Sequence, residues 1–435
     1  MKSRAAALAL ICAFAFPSVA LAAAPAVSNS GGTTVIQQQD NAAPLVHVTF
    51  VVRAGLNRQT MAQNGVAALT AQTILRTAID GVPLEDAVAA HGGGVHFTVD
   101  PSDVRFAVES TPAQASTVFD LFRRAVAAPA FDAKTVTSAR GALQTQITMN
   151  QQIALQVGMD MLAGNDAASA NAALPALGIP GALAQMGPAD VRDFYAKFYR
   201  RGGSFVSGVG RLDALANGTL EALAQTLPAG DSTAVAVSLP KLEGTTHQYV
   251  THRDIAAPWL IAQYPAPPID SKDYGPMLVL SSFMQRTLSE IAQVPGVVSS
   301  TATSRAVGAM YQFDRTDPNL TLYVNGSIGN PNRAFATALS VASILAATKL
   351  NGPIDEFKAL AAGDFVSEST SLESRAWLAV LFSQNGQSAD YVGRTLNAIA
   401  NTSNADLQRV ARQYLGNPAI ALVLPRDNSA QAQNP

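Results

Sequence analysis

The chain has 435 residues, 48% of them hydrophobic and 14% charged, with a formal net charge of −2. That length exceeds what one hydrophobic core normally supports, so two or more domains are expected. Charges of both signs are interspersed, which gives no basic face for nucleic acid, and beyond residue 22 no apolar run reaches the ~18 residues of a membrane span.

The first segment has the order of an export signal. Lys2 and Arg4 precede an apolar run from Ala5 to Phe16, and Ala20-Leu21-Ala22 offers a small-residue cleavage site. We expect residues 1–22 to be removed and the protein to be periplasmic. Cys12, the single cysteine, lies inside that run behind the bulky Ile11. The exported chain is therefore expected to have neither a disulfide nor a thiolate metal site.

TTVIQQ and PLVHVTFVVRAG then read as strands, rich in β-branched residues and ending at glycine. His47 alternates with Val46 and Val48, which turns it away from the core side. Helical periodicity covers 64–77 and 83–91. GGGVHFTVDPSDVRFAVES is a strand, a turn and a strand. Thr111-Pro112 is expected to open a helix towards Ala127, with Thr111 as its cap, and Phe131-Asp132 a long helix over roughly 132–156.

The same order recurs about 210 residues later, a period that means two copies of a domain and not a solenoid. APWLIAQYPAP echoes APLVHVTFVVRAG, a helix follows at 274–292, then VVSSTATSRAVGAMYQF and LTLYVNGSI as strands, and helices from Asn330-Pro331 and Pro353-Ile354-Asp355. The expected fold is α+β: two domains, each a mostly antiparallel sheet packed with helices. The boundaries are 23–225 and 247–428, with a Gly/Pro/Ser/Thr-rich linker at 226–246 and a tail at 429–435.

Obvious catalytic chemistry is scarce. The five histidines, His47, His91, His96, His247 and His252, form no H-E-x-x-H or H-x-x-E-H. No G-x-S-x-G elbow or phosphate-binding loop occurs either. His91 and His96 flank a glycine triplet and could share a metal, but no carboxylate stands at a fixed helical offset to complete the site. The triplet itself suits close backbone approach.

Four stretches, 50–75, 84–136, 174–210 and 404–425, together resemble the insulinase/pitrilysin family of zinc metallopeptidases. The segment GVAALTAQTIL is similar to the family's zinc helix, which in active members carries H-x-x-E-H. The resemblance places the two histidines on Ala68 and Gln72, the general base on Ala71 and the third ligand on Gln146. It places an arginine–tyrosine pair of the second domain on Ala292 and Ser299, around Gly296. A rival placement is Arg305 and Tyr311. None of the four zinc-site positions offers a good zinc donor. The resemblance also implies a clam-like pair of domains and a peptide-binding edge strand at Gly93, Gly94, Val95, His96, Phe97 and Thr98. The expected function is a catalytically silent subunit, itself without cofactor, paired with a zinc-bearing homologue. The alternatives are a stand-alone peptide-binding scaffold, for which a homodimer is one form, and a hydrolase with displaced ligands at His91 and His96.

Overall fold

The computed structural model describes residues 24–166, 174–232, 248–292, 307–314, 316, 318–326, 331–347 and 354–426. The export signal, residues 233–246 of the expected linker and the tail lie outside these.

In the first domain, strands β1 (Ala26–Ser30), β2 (Thr33–Gln39) and β3 (Val46–Val52) lead into helix α1 (Val66–Arg76). A two-residue hairpin, β4 (Ala78–Ile79) and β5 (Val82–Pro83), precedes α2 (Leu84–Ala90), and β6 (Gly94–Val99) and β7 (Val104–Ser110) follow. Then come α3 (Ala115–Ala127), α4 (Ala133–Asn150), α5 (Ala154–Asp166), α6 (Pro180–Gln185), α7 (Pro188–Phe198), β8 (Phe205–Gly210) and α8 (Thr219–Ala224). The second domain runs β9 (Gln248–Arg253), β10 (Trp259–Pro265), α9 (Tyr274–Ala292), β11 (Val307–Gln312), β12 (Asn319–Asn325), α10 (Pro331–Ala347) and α11 (Ile354–Glu368). It closes with α12 (Leu372–Gln384), α13 (Tyr391–Ala400), α14 (Asn404–Tyr414) and β13 (Ala419–Pro425).

The two sheets repeat one topology. The first has the order β1-β2-β8-β3-β7-β6, and the second, read from its far end, is β9-β13-β10-β12-β11. Apart from the extra β1, each strand has a counterpart. In each sheet a single pair, β2 with β8 and β9 with β13, is parallel and the rest are antiparallel. An α+β fold of two like-built sheets is thus what the chain forms.

Local chemistry sets the element ends. Asp132 caps α4 by accepting from the backbone N–H groups of Lys134 and Thr135 at 2.9 and 3.0 Å. Ser403 and Asp406 make a reciprocal capping box on α14. The start of α1 is held differently. Gly65 is left-handed there (φ 102°), and the buried Gln59 side-chain oxygen accepts from the N–H groups of Gly65 and Ala67, both at 3.3 Å. Replacing Gln59 by Ala leaves those donors without that acceptor, so Gln59→Ala is expected to cost about 1–2 kcal/mol, read from urea midpoints.

Three sequence expectations are corrected. Thr111 does not cap α3. Its carbonyl accepts from Gln114, and Gln114 stands at the cap position one turn later. The long helix expected over 132–156 ends at Asn150, with turns at 151–153 before α5. The segment 226–246 is not linker from its start: the N–H groups of Arg201 and Gly202 donate to the carbonyls of Pro228 and Gly230, and the Ser232 hydroxyl donates to Gly202.

The break before α5 has a structural use. α5 leaves its own sheet and lies on the second one, where Ala154, Val157 and Leu162 join Ile261, Ala421 and Val423 in one buried cluster. Gly158 permits this, because a Cβ there would sit 2.4 Å from Ile261 Cδ1. Its counterpart by position, α12, crosses the other way. Ala379, Val380 and Phe382 share a cluster with Ile36, Val51 and Phe205 of the first sheet. Each sheet is therefore covered on its own side by its own helices and on the other by a helix from its neighbour. Burial of these apolar faces ties the domains together.

Candidate functional site

The helix that the sequence singled out, α1, is buried from Val66 to Leu75. Ala68 and Ala71 have no exposed surface and belong to the first domain's core, while Gln72 is 7% exposed. α4 packs along α1, but its Gln146 points to solvent. The residues at these positions do not fit a zinc ion. A methyl group has no lone pair to give, and a neutral amide is a poor ligand. Among the described residues, no group of three His, Cys, Asp or Glu could hold a metal.

β6 is the outer strand of the first sheet, and no described strand pairs with its free edge. The strand begins at Gly94, one residue later than expected. Gly93 precedes it, turned back so that its N–H donates to Val88. The glycine there is required by the close approach of β7, since a Cβ on Gly93 would meet the Glu109 carbonyl at 2.7 Å. Val95 and Phe97 turn towards the first core. The Phe97 ring lies 6.4 Å from that of Phe106 and is half-buried, so it lines the inner side of the edge. Thr98 is half-buried, and His96 faces out on the opposite side of the strand.

The histidines separate. His91 Nδ1 lies 3.1 Å from Gln114 Oε1, and His96 Nε2 lies 3.0 Å from Glu373 Oε1. They have no common partner, which argues against a shared metal. The His96–Glu373 pair joins the edge strand to α12 of the second domain, a contact across 277 residues that no sequence signal marks. Both side chains are well exposed. His96→Ala is therefore expected to change stability by less than about 1 kcal/mol in urea unfolding, which makes it usable as a surface probe of the edge.

His47 corrects the expectation of an outward-facing residue. It does face away from the first core, yet it is 2% exposed, with Nε2 at 3.0 Å from the Thr49 hydroxyl. Burial drives its pKa down to about 4, against the pull of Glu373 on α12. His252 is exposed on β9, and His247 lies outside the described residues.

In the second domain, Ala292 ends α9, and Gly296, Ser299 and Arg305 lie outside the described residues. Tyr311 is on β11, where its hydroxyl donates to the Pro267 carbonyl. Burial pushes its pKa well above the ordinary phenol value. That hydroxyl is held within its own domain.

Comparison with known proteins agrees with this architecture. Residues 34–176 match the family described as insulinase, peptidase family M16. They contain β2 through α5, including α1 and β6. The chain superposes on the peptidase M16 inactive domain from Pseudomonas fluorescens with a TM-score of 0.78 at 15% identity, covering 92% of this chain and 98% of that one. A protease from Helicobacter pylori gives 0.74 at 14% identity, covering 92% and 99%. A chain of complex III2 from Candida albicans gives 0.72 at 13% identity, covering 91% and 94%. No curated protein matches the chain. The first domain carries the insulinase family match, and both domains together have the M16 fold. None of the described helices is long and apolar enough to cross a membrane.

Proposed function

We propose that this chain is a non-catalytic insulinase-family member that pairs with a zinc-bearing homologue and forms part of that partner's peptide chamber. The observation that carries the reading is the α1 face. Where active members hold zinc and the general base, this chain places the Ala68 and Ala71 methyl groups, fully buried in a hydrophobic core. The chain needs no cofactor of its own in this role, and zinc belongs to the partner. The export-signal pattern at 1–22 supports a periplasmic location for this chain.

Affinity purification of the tagged chain from its native periplasm tests this. The expected result is a near-stoichiometric homologue with an intact H-x-x-E-H helix, whose peptidase activity rises when this chain is added back. A stable monomer recovered alone, with no effect on any such homologue, overturns it.

The free edge of β6 favours a second reading, a scaffold that holds an extended peptide as an added strand without any partner. It predicts peptide binding by the isolated chain that disappears in Phe97→Pro, since proline removes a ladder donor. Binding that needs the homologue returns the first reading.

A further inference from the structure

The cleft that is packed shut beside α1 has an open counterpart in the second domain. α9 follows β10 as α1 follows β3, β11 is the outer strand as β6 is, and α11 takes the place of α4. Between α9, β11 and α11 lies a cavity of about 540 Å³. That volume falls within the range of about 300–1,000 Å³ typical of ligand sites.

Two helices line it at helical spacing. α9 contributes Leu278, Ser281, Ser282 and Gln285, and α11 contributes Ala361, Asp364, Phe365 and Glu368. The Gln285 amide is fixed at the strand, where its oxygen accepts from Ala309 N–H at 2.7 Å. This also occupies one donor of the β11 edge, so the cavity does not simply await an added strand. Ser281 donates to the Leu278 carbonyl. Ser282 is different: it is 8% exposed, lines the cavity, and has no hydrogen-bond partner among the described residues. Its residue is nine-tenths buried and its hydroxyl opens on the cavity, where a ligand group would complete its bonding.

Across from it, the Asp364 and Glu368 carboxylates are one turn apart, and neither has a cation beside it among the described residues. Burial, and then the neighbouring Asp364, raise the pKa of Glu368. Aromatic rings also line it, those of Tyr311, Phe313 and Phe365 among them. Negative charge, an open hydroxyl and aromatic faces together suit a planar cation: a guanidinium offers forked donors to carboxylates and stacks on rings.

We propose that this second-domain cavity binds an arginine side chain of a peptide or protein, with Asp364 and Glu368 as its anionic partners and Ser282 as a further acceptor. The site is independent of the pairing proposed above, because every wall belongs to this chain.

The probe is the pentapeptide acetyl-Ala-Ala-Arg-Ala-Ala-amide, measured against the whole chain by calorimetry and saturation-transfer NMR at low salt. Its control is the same peptide with citrulline, which keeps the shape and loses the charge. We expect saturable binding of the arginine peptide, at least ten-fold weaker for citrulline. Asp364→Asn with Glu368→Gln is expected to give a similar loss, and both residues are exposed enough for the variant to fold. Ser282→Phe, which fills the cavity, is expected to abolish binding. No binding of the arginine peptide, equal binding of the citrulline peptide, or binding unchanged in the carboxamide variant overturns the assignment. Failure here leaves the co-purification result untouched, so the two proposals fail separately.

Discussion

Ala71→Glu is expected to lower the stability of the chain by about 3–5 kcal/mol at neutral pH, the cost of an unpaired charge placed in a core. In an active zinc peptidase of this fold a glutamate at the matching position works beside a metal and water. Here Ala71 has no exposed surface, and the core residues Leu69, Ile74, Val104 and Phe106 belong to the same cluster. A carboxylate at that point meets hydrocarbon and no cation. The loss is expected to shrink as pH falls, because the neutral acid is cheaper to bury than its anion. Urea unfolding of Ala71→Glu at pH 7 and pH 4.5 reads both parts. A loss under about 1 kcal/mol at pH 7 would mean that this helix face is wet, and a zinc site could then be rebuilt by substitution alone. Ala68→His is expected to destabilise for a second reason, overpacking, by about 1–3 kcal/mol. Both substitutions would thus have to open a core that the Ala68 and Ala71 methyl groups help to fill.

The sequence carries the architecture better than it carries the surroundings of particular side chains. β-branched runs beside glycine located β3 and β6, and the Pro-Ser-Asp turn located β7. Helical periodicity located α1 and α9, and the recurrence of the order exposed the duplication before any coordinate. The resemblance put Ala68, Ala71 and Gln72 on one helix and a peptide-binding edge at 93–98; α1 carries the first three, and β6 starts at Gly94 on the outside of its sheet. What failed has a common cause. Period-2 alternation tells which residues share a face of a strand but not what covers that face. His47 lies on the side away from the first core, as alternation requires, and is nevertheless sealed in. The helix above that face, α12, comes from the other domain, more than 300 residues further on. α5 was hidden for the same reason, because the turns at 151–153 contain neither glycine nor proline and the helix crosses to a foreign sheet.

Where the domains meet, proton binding is expected to push stability in two opposite directions over one pH range. His47 prefers neutrality in the folded chain, with its pKa down at about 4 against the ordinary 6.5 of histidine. Below pH 6.5 the unfolded chain binds the extra proton and the folded chain does not. Stability from this residue is therefore lost as pH falls from 6.5 to 4, by up to about 3 kcal/mol. Asp100, in the β6–β7 turn, does the reverse. Burial raises its pKa to about 6, against the pull of Arg105, with Asp103 and Asp314 adding to the rise. Arg105 reaches it only at 3.9 Å and lies over the Trp377 ring of α12 at 4.1 Å. Asp103, with Arg53 at 3.5 Å, is raised in the same sense. Between pH 3.8 and 6 the folded chain holds the Asp100 proton more tightly than the unfolded chain. Its contribution thus falls as pH rises through that window, by up to about 3 kcal/mol. Single variants separate the two. Relative to the parent chain, His47→Asn should lose ground as pH rises from 4 to 6.5, because the histidine's rising contribution is gone. Asp100→Asn should gain ground over the same range. Urea midpoints at pH 4, 5, 6 and 7 give both differences, and parallel curves for parent and variants would show that neither group is held in the protonation state its burial demands. Because His47 lies on β3 near Glu373 of α12, and Arg105, the cation beside Asp100, lies against the Trp377 ring of the same helix, a fitted pair of opposite slopes would also locate the coupling. It would place the titration at the contact through which each domain completes the other's sheet.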